Sequence, residues 1–160
     1  MPSPPVAAGE IDVVPATGED REWAARVMAS SDPWLTLGRG LEHCRARCTD
    51  PAFTVLVARH RGERCGFAIL NPRGVAGSPY LASFAVEEAW RSRGVGARLL
   101  EACERHFAPA SPHFFLCVSS FNVRARAFYE RHGYRQVGEF EDYVVEGASE
   151  ILMYKRLEQA

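Results

Sequence analysis

A strand, a glycine-bearing turn and an amphipathic helix follow one another between residues 80 and 107, and this succession constrains the fold most. Residues 80–86 are apolar enough to predict a central strand, and the turn over residues 91–96 is basic and contains two glycines. A strand that leads into a helix in this way is typical of α/β folds, in which helices cover a sheet. The helix after the turn places these residues on one face: Val95, Leu99, Ala102, Cys103 and Phe107.

The segments around this unit predict one sheet with strands of both directions. Two apolar runs joined by a short polar turn indicate a hairpin before it, and a buried-type strand, a helix and two closing strands follow it. Residues 71–78 contain two glycines and one proline and are expected to form a loop. The expected strands cover residues 11–15, 53–58, 64–70, 80–86, 113–118, 134–138 and 151–155, and the expected helices follow Thr17 and cover residues 37–48, 95–107 and 122–132.

Length, charge and cysteine content narrow the class of protein. The 160 residues suit one domain, which usually holds about 100–200 residues. A net charge of -1 gives no field that would attract nucleic acid or an anionic membrane, so neither is an expected partner. Five cysteines, an odd number, and a start without a signal-peptide pattern predict a cytoplasmic protein with reduced thiols. We expect a disordered tail over residues 1–9 and a single domain over residues 10–160.

The glycine-bearing turn has the composition of a phosphate-binding site. Gly94 and Gly96 allow backbone N–H groups to approach a ligand, and the first turn of a helix offers unpaired N–H groups and a positive dipole end. Arg91 and Arg93 add positive charge, which favours a diphosphate as the ligand. A turn with solvated arginines has the same composition. The segment lacks the lysine of a P-loop, and Leu99 stands where a dinucleotide fingerprint requires its third glycine.

A second segment, residues 122–134, follows the next strand directly and completes a pair of motifs. Together the two motifs resemble those of the GNAT superfamily of acetyltransferases, with one helix and one strand between them. The first motif, Arg/Gln-x-x-Gly-x-Gly/Ala after a strand, is matched by Arg91, Gly94 and Gly96. The second, Asn-x-x-Ala-x-x-Phe-Tyr-x-x-x-Gly-Phe/Tyr, is matched by Asn122, Ala125, Phe128, Tyr129, Gly133 and Tyr134.

The resemblance implies an α/β fold with a mixed, mostly antiparallel central sheet flanked by helices. In this fold two adjacent strands, here residues 80–86 and 113–118, are splayed apart and receive the pantetheine arm of acetyl-CoA, the implied co-substrate. The implied contacts to that arm and to the diphosphate are Phe84, Ala85, Val86, Arg91, Ser92, Arg93, Gly94, Val95, Gly96, Ala97, Asn122 and Phe128. Arg124 and Arg126 either reach the 3′-phosphate or form a solvated helix face.

The implied reaction is transfer of the acetyl group to a primary amine by direct attack in a ternary complex. Tyr129 is our candidate for the acid that protonates the leaving thiolate, because a phenol of pKa about 10 can protonate the conjugate base of a thiol of pKa about 8.5. Cys117 stands where relatives that acetylate protein N-termini often have a glutamate, which leaves the base unassigned. The carboxylates considered are Glu87, Glu88, Glu139, Glu141, Asp142 and Glu150, with a water ordered by Ser83 as the alternative.

Other residues were considered for the acceptor pocket and for metal binding. Trp34 either walls the acceptor pocket or fills the edge of the core, and Ser83 and Cys117 belong to the expected pocket. His43 and Cys44, close to Cys48, lack the further ligands of a metal site, so no metal is expected. The closing strands offer an edge for a homodimer. A function of another class, a non-catalytic acyl-CoA sensor or interaction module, would use the same cleft.

Overall fold

The computed structural model of the chain describes residues 3–159, so the first two residues of the expected tail and the last residue of the expected domain lie outside it. One sheet of seven strands has the order β1-β2-β3-β4-β5-β7-β6, and four α-helices accompany it within these residues. The strands are β1 Ile11–Pro15, β2 Thr54–His60, β3 Glu63–Val75, β4 Ser78–Val86, β5 His113–Ser119, β6 Arg135–Phe140 and β7 Glu150–Arg156. The helices are α1 Gly18–Ala29, α2 Leu41–Thr49, α3 Val95–Phe107 and α4 Val123–Arg131.

The sheet is antiparallel except between β4 and β5, which run parallel. This confirms the mixed, mostly antiparallel sheet that the sequence predicts. Strand β1 lies at one edge, as expected for a strand that ends at Pro15, because proline cannot donate to a ladder. The parallel pair is joined through α3, as a parallel connection requires a crossover that covers one face of the sheet.

The expected loop over residues 71–78 is wrong, because β3 and β4 form a long hairpin there. The turn consists of Ala76 and Gly77 with φ of 48° and 79°, the geometry of the two-residue turns that suit the twist of antiparallel strands. Pro72 suggested a loop, yet it lies where the register between β3 and β4 is irregular, so its missing N–H breaks no regular ladder.

Helix α2 begins at Leu41 and not at residue 37. Gly38 has a φ of 70°, a left-handed conformation that interrupts a right-handed helix, and Gly40 is the residue before the first helical turn. The preceding segment is therefore a loop, in which the Asp32 carboxylate accepts hydrogen bonds from the backbone and hydroxyl of Thr36. The delayed start of α2 leaves this loop to border the centre of the sheet.

The two faces of the sheet carry two separate cores. On one face α3 and α4 pack against the sheet through residues such as Leu99, Phe107 and Tyr129. On the other face α1 and α2 pack through Met28 and Cys48. Both cysteines of α2 are buried in this second core, which accounts for them without a metal.

The residues before β1 contact the turn that precedes α3. Ala8–Glu10 forms a short 3-10 turn, the N–H of Val6 donates to the carbonyl of Arg93, and the Nε of Arg93 donates to the carbonyl of Pro4. The described part of residues 1–9 makes these contacts, and the expectation of a disordered tail stays a prediction. Within residues 3–159, no helix has both the length and the apolar character that crossing a bilayer requires.

Candidate active site

The parallel strands β4 and β5 pair over a short stretch only and then separate. Their paired residues are Tyr80 with Phe115 and Leu81 with Leu116, although β4 continues to Val86 and β5 to Ser119. Strand β4 also has one extra residue against β3, because Ser83 pairs with Ile69 but Leu81 pairs with Leu70. This bulge bends β4 at the point where it leaves β5.

A cavity of about 580 Å³ occupies the opening between the separated strands. Fourteen of the sixteen site residues expected from the sequence line it, on β4, on the turn before α3, on α4, on β5 and on the loop before α2. The cavity therefore brings together residues from distant parts of the sequence. These residues are Trp34, Ser83, Phe84, Ala85, Val86, Arg91, Ser92, Gly94, Gly96, Ala97, Cys117, Asn122, Phe128 and Tyr129.

The side chains of Arg93 and Val95 lie elsewhere. Val95 is fully buried in the core beneath α3. The guanidinium of Arg93 lies over the ring of Trp90 at 4.5 Å from the centroid, and its Nε bonds to the N-terminal segment. Neither side chain lines the cavity, so the backbone N–H groups of these two residues are the candidates for a ligand contact.

The turn before α3 presents a row of backbone N–H groups. Among the described residues, the N–H groups of residues 92–97 have no backbone carbonyl as acceptor. Gly94 has a φ of 92°, which side-chain-bearing residues rarely adopt, and a Cβ on Gly96 would lie 3.3 Å from the ring of Phe128. Glycine at position 94 is therefore favoured by the backbone conformation, and glycine at position 96 by the close approach of α4.

Positive charge is concentrated at this end of the cavity. Arg91 lines it, with its Nε donating 3.0 Å to the carbonyl of Val86, and Arg124 lines it beside the hydroxyl of Ser92 at 3.4 Å. Arg131 contributes a third guanidinium to the lining. Arg126 does not, because it bonds to Glu130 and Gln136 on the outer side of α4. The two arginines therefore differ in position. Arg124 borders the cavity, whereas Arg126 belongs to a solvated face of α4.

The start of α4 fixes the aromatic side of the cavity. The Oδ1 of Asn122 accepts a 3.3 Å hydrogen bond from the N–H of Ala125 and caps the helix, so this asparagine has a structural role beside any ligand contact. Phe128 and Tyr129 then meet Phe84 of β4 at ring-centroid distances of 5.9 and 6.1 Å. Burial raises the pKa of Tyr129 above its ordinary value, so its hydroxyl stays protonated at neutral pH.

The opposite end of the cavity has different residues. Trp34 lines it and at the same time packs on Phe67 at 6.4 Å between ring centroids. Cys117 borders it as expected, and burial raises the pKa of its thiol, which argues against a reactive thiolate. Two residues that the sequence did not single out, Tyr80 and Ser119, also line this end. Alternation along the strands could have suggested them, because Tyr80 lies four residues before Phe84 and Ser119 lies two residues after Cys117.

The candidate bases are separated by the structure. Glu150, the first residue of β7, lines the cavity, whereas the other five acids considered do not. The pairing of β5 with β7 places Glu150 opposite Ser119, a long-range register that the sequence does not reveal. Within residues 3–159, no three His, Cys, Asp or Glu side chains are grouped so that they could hold a metal ion.

Comparison with known proteins agrees with this fold. The sequence profile of the acetyltransferase (GNAT) family matches residues 19–134, which include both motifs and the separated strands. The chain belongs to this family. The resemblance seen in the motifs is thereby confirmed, and with it the class of protein: an acetyltransferase of the GNAT family with a mixed α/β sheet.

Three individual proteins illustrate the similarity. An uncharacterized N-acetyltransferase of Methanocaldococcus jannaschii is 34% identical over 82 residues, which are 50% of this chain and 53% of that protein, so the match spans about half of that relative. A GNAT-family protein from Desulfovibrio desulfuricans superposes with a TM-score of 0.78 at 16% identity, over 92% of this chain and 99% of its own. An aminoglycoside 6′-N-acetyltransferase complexed with coenzyme A superposes with a TM-score of 0.74 at 17% identity, over 93% and 98%. At these identities the structures show the shared fold alone.

Proposed function

We propose that the chain is an acetyl-CoA-dependent N-acetyltransferase, which moves the acetyl group to a primary amine by direct attack in a ternary complex. The observation that carries this proposal is the row of unbonded N–H groups at residues 92–97 beside the opening between β4 and β5. A helix start with such N–H groups binds a diphosphate, and unpaired strand backbone accepts an amide-bearing arm. The coenzyme A complex of a protein with the same fold supports this assignment.

The residues divide into two groups along the cavity. The arginines Arg91 and Arg124 complement the phosphates, and Gly94 and Gly96 allow the backbone to approach them. The backbone of β4 beyond Leu81, which lacks a partner on β5, offers hydrogen bonds to the pantetheine amides. We place the thioester between this backbone and Tyr129.

The chemical step requires a neutral amine and a protonated leaving group. The nitrogen attacks the thioester carbonyl, the C–N bond forms, the C–S bond breaks, and the sulfur receives a proton. Tyr129 is suited to supply that proton, because burial keeps its hydroxyl protonated and because it lies on the cavity wall. A backbone N–H of β4 stabilises the oxyanion that develops on the carbonyl oxygen.

We further propose a cytoplasmic location, where acetyl-CoA is available and thiols stay reduced. The supporting observation is that all five cysteines are unpaired, four of them buried.

Calorimetry with acetyl-CoA tests the binding part of the proposal. Gly94→Glu places a negative side chain at the start of α3, so we expect acetyl-CoA affinity to fall at least tenfold. Gly62→Glu is the matched control, because Gly62 also has a positive φ, of 83°, and lies in the β2–β3 turn outside the cavity. Equal affinity in the two variants, or no binding by the wild-type protein, would defeat the assignment.

Thiol release separates an enzyme from a sensor that binds acyl-CoA without turnover. We expect the wild-type protein to release coenzyme A when acetyl-CoA is supplied with a panel of primary amines, with one acetylated amine formed per thiol. Binding of acetyl-CoA without thiol release for any amine would favour the sensor.

A further inference from the structure

Glu150 is held in a fixed position at the end of the cavity that lies away from the arginines. The hydroxyl of Ser119 donates a 2.7 Å hydrogen bond to Oε2 of Glu150, and Ser119 itself is buried, with 3% of its surface exposed. The backbone supports the same contact, since Ser119 and Glu150 are register partners on β5 and β7. One carboxylate oxygen is therefore engaged by Ser119, and the half-buried side chain borders the cavity.

The charges that line the cavity are separated by sign. Arg91, Arg124 and Arg131 lie at the α3 and α4 end. Among the residues that the structure describes, no lysine or arginine lines the end formed by β5, β7 and the loop before α2. The acids at that second end are Asp32 and Glu150. An anionic ligand is favoured at the first end and a cationic one at the second.

Asp32 and Glu150 differ in how available they are. Asp32 is on an exposed loop, and its Oδ1 already accepts two hydrogen bonds from Thr36. Glu150 lies deeper, next to Tyr80 and Cys117, which both remain neutral. Burial raises the pKa of each of these two groups, and the negative charge of Glu150 raises it further. Glu150 is therefore the carboxylate that the structure places beside these two neutral groups.

Apolar side chains form the wall beside this carboxylate. Trp34 and Leu37, from the loop between α1 and α2, line the cavity together with Pro33. Trp34 cannot easily turn away, because its ring packs on Phe67 and only 9% of its surface is exposed. A ligand that places a cation at Glu150 would set its adjoining group against this wall.

We propose that Glu150, positioned by Ser119, binds the ammonium group of the acceptor, and that the acceptor is a primary amine with an apolar group close to the nitrogen, which packs on Trp34 and Leu37. This inference rests on the proposed function and names its substrate class. Before attack, the ammonium gives one proton to solvent by way of the Glu150 carboxylate. As the C–N bond forms and the C–S bond breaks, Tyr129 protonates the sulfur of the leaving coenzyme A, and the second proton of the nitrogen returns Tyr129 to its neutral form.

Kinetics of Glu150→Gln test the role of the carboxylate. An ionic hydrogen bond contributes about 1.5–3 kcal/mol, so kcat/KM for amines should fall about 10- to 150-fold in this variant. Its acetyl-CoA affinity should stay at the wild-type value. Glu146→Gln, at an exposed glutamate of the loop before β7, is the matched control and should behave as wild type. Wild-type efficiency in Glu150→Gln, or an equal loss in Glu146→Gln, would overturn the inference.

An acceptor panel tests the substrate class and distinguishes two sources of such an amine. The amines compared are 2-phenylethylamine, a peptide with N-terminal leucine, spermidine and glucosamine. We expect the first or the second to be preferred at least tenfold over the last two, and whichever of the first two is better identifies the source as a free amine or a peptide terminus. Preference for spermidine or glucosamine would overturn the assignment.

Equilibrium binding keeps this inference separate from the proposed function. Calorimetry of 2-phenylethylamine and of the leucine peptide into the protein saturated with coenzyme A requires no turnover. Binding that is lost in Glu150→Gln and retained in Glu146→Gln supports the ammonium site even where acetyl transfer fails. Equal binding in the two variants, or none in the wild type, would refute the site even where transfer occurs.

Discussion

The backbone N–H of Val6 donates a 2.8 Å hydrogen bond to the carbonyl of Arg93, in the turn that leads into α3. The side chain of Arg93 completes the contact, since its Nε donates 2.9 Å to the carbonyl of Pro4. The N-terminal segment therefore holds the middle of the turn whose N–H groups face the cavity. We infer that this segment helps to keep the turn in the conformation that binds a diphosphate.

Removing the Val6 donor should weaken acetyl-CoA binding. Val6→Pro lacks the N–H, and one hydrogen bond contributes about 0.5–1.5 kcal/mol, so the affinity measured by calorimetry should fall about 2- to 10-fold. Val6→Ala keeps the N–H and trims the same side chain, and it should bind as the wild type does. Equal affinities in the two variants would show that the segment does not support the turn.

A side chain at Gly96 should narrow the end of the cavity formed by α3 and α4, where we propose that the cofactor binds. A Cβ there would lie 3.3 Å from two ring atoms of Phe128 and 3.6 Å from Cγ2 of Val86, so Gly96→Ala forces the ring to shift. Overpacking of this kind costs about 1–3 kcal/mol, and we expect acetyl-CoA affinity to fall at least fivefold.

Phe128→Leu replaces the aromatic ring by a smaller side chain and provides the control for Gly96→Ala. In the double variant the added methyl group has room, so part of the affinity lost in Gly96→Ala should return. Calorimetry of the two single variants and the double variant gives the coupling between the positions. Additive losses would contradict the steric account.

The residues proposed to bind the cofactor could be selected from the sequence because their signals are local. Gly94 and Gly96 lie in one turn and the helix start that follows it, and Asn122 and Tyr129 belong to one helical segment. The hairpin between β3 and β4 was not predictable in the same way. Its turn depends on Ala76, a residue that rarely adopts a positive φ, and a proline nearby suggested a loop.

The end of the cavity that we propose for the acceptor is formed by contacts between segments far apart in the chain. Ser119 meets Glu150 only because β5 pairs with β7 in one particular register. Arg93 lies at a position that the first motif leaves unspecified, and its side chain contacts Trp90 and the N-terminal segment, which lie outside the motif. Sequence motifs thus indicate which backbone binds, whereas side-chain directions follow from packing.

Tyr129→Phe should lower turnover without changing cofactor affinity. The variant loses only the hydroxyl, and general acid catalysis contributes about 10²- to 10⁴-fold. We expect kcat to fall about 10²-fold, at the lower end of that range, because a thiolate is a good leaving group. Tyr143→Phe, at an exposed loop tyrosine, is the control. A kcat unchanged in Tyr129→Phe would remove this residue from the mechanism.

The raised pKa of Tyr129 has a consequence for the pH dependence of the wild-type enzyme. Its hydroxyl stays protonated beyond the ordinary tyrosine value of about 10, so ionisation of Tyr129 should not reduce kcat between pH 7 and pH 9.5. Stopped-flow measurement of thiol release across this range checks the expectation. A fall in kcat that is absent from Tyr129→Phe would indicate that Tyr129 ionises within the range.

Asp20 should dominate the acid sensitivity of the fold. Its carboxylate is buried, which by itself would raise the pKa, but hydrogen bonds from Thr17 and Arg64 and the charge of Arg59 outweigh this and lower the pKa below its ordinary value. A lowered pKa in the folded state means that the stabilisation is complete above the unfolded pKa of about 3.9 and is lost as the pH falls through the folded value.

The variant Asp20→Asn keeps the shape of the side chain and leaves Arg59 and Arg64 without their anion. Removing one partner of a buried ion pair costs about 3–5 kcal/mol, so urea unfolding at pH 7 should show a loss of that size. The difference in unfolding free energy from wild type should shrink between pH 5 and pH 2, because the wild-type carboxylate becomes protonated there. Glu22→Gln, which breaks an exposed pair with Arg45, should leave both values nearly unchanged. A loss in Asp20→Asn that is equal at both ends of this pH range would mean that the packing of the side chain, and not its charge, stabilises the junction of α1 with β2 and β3.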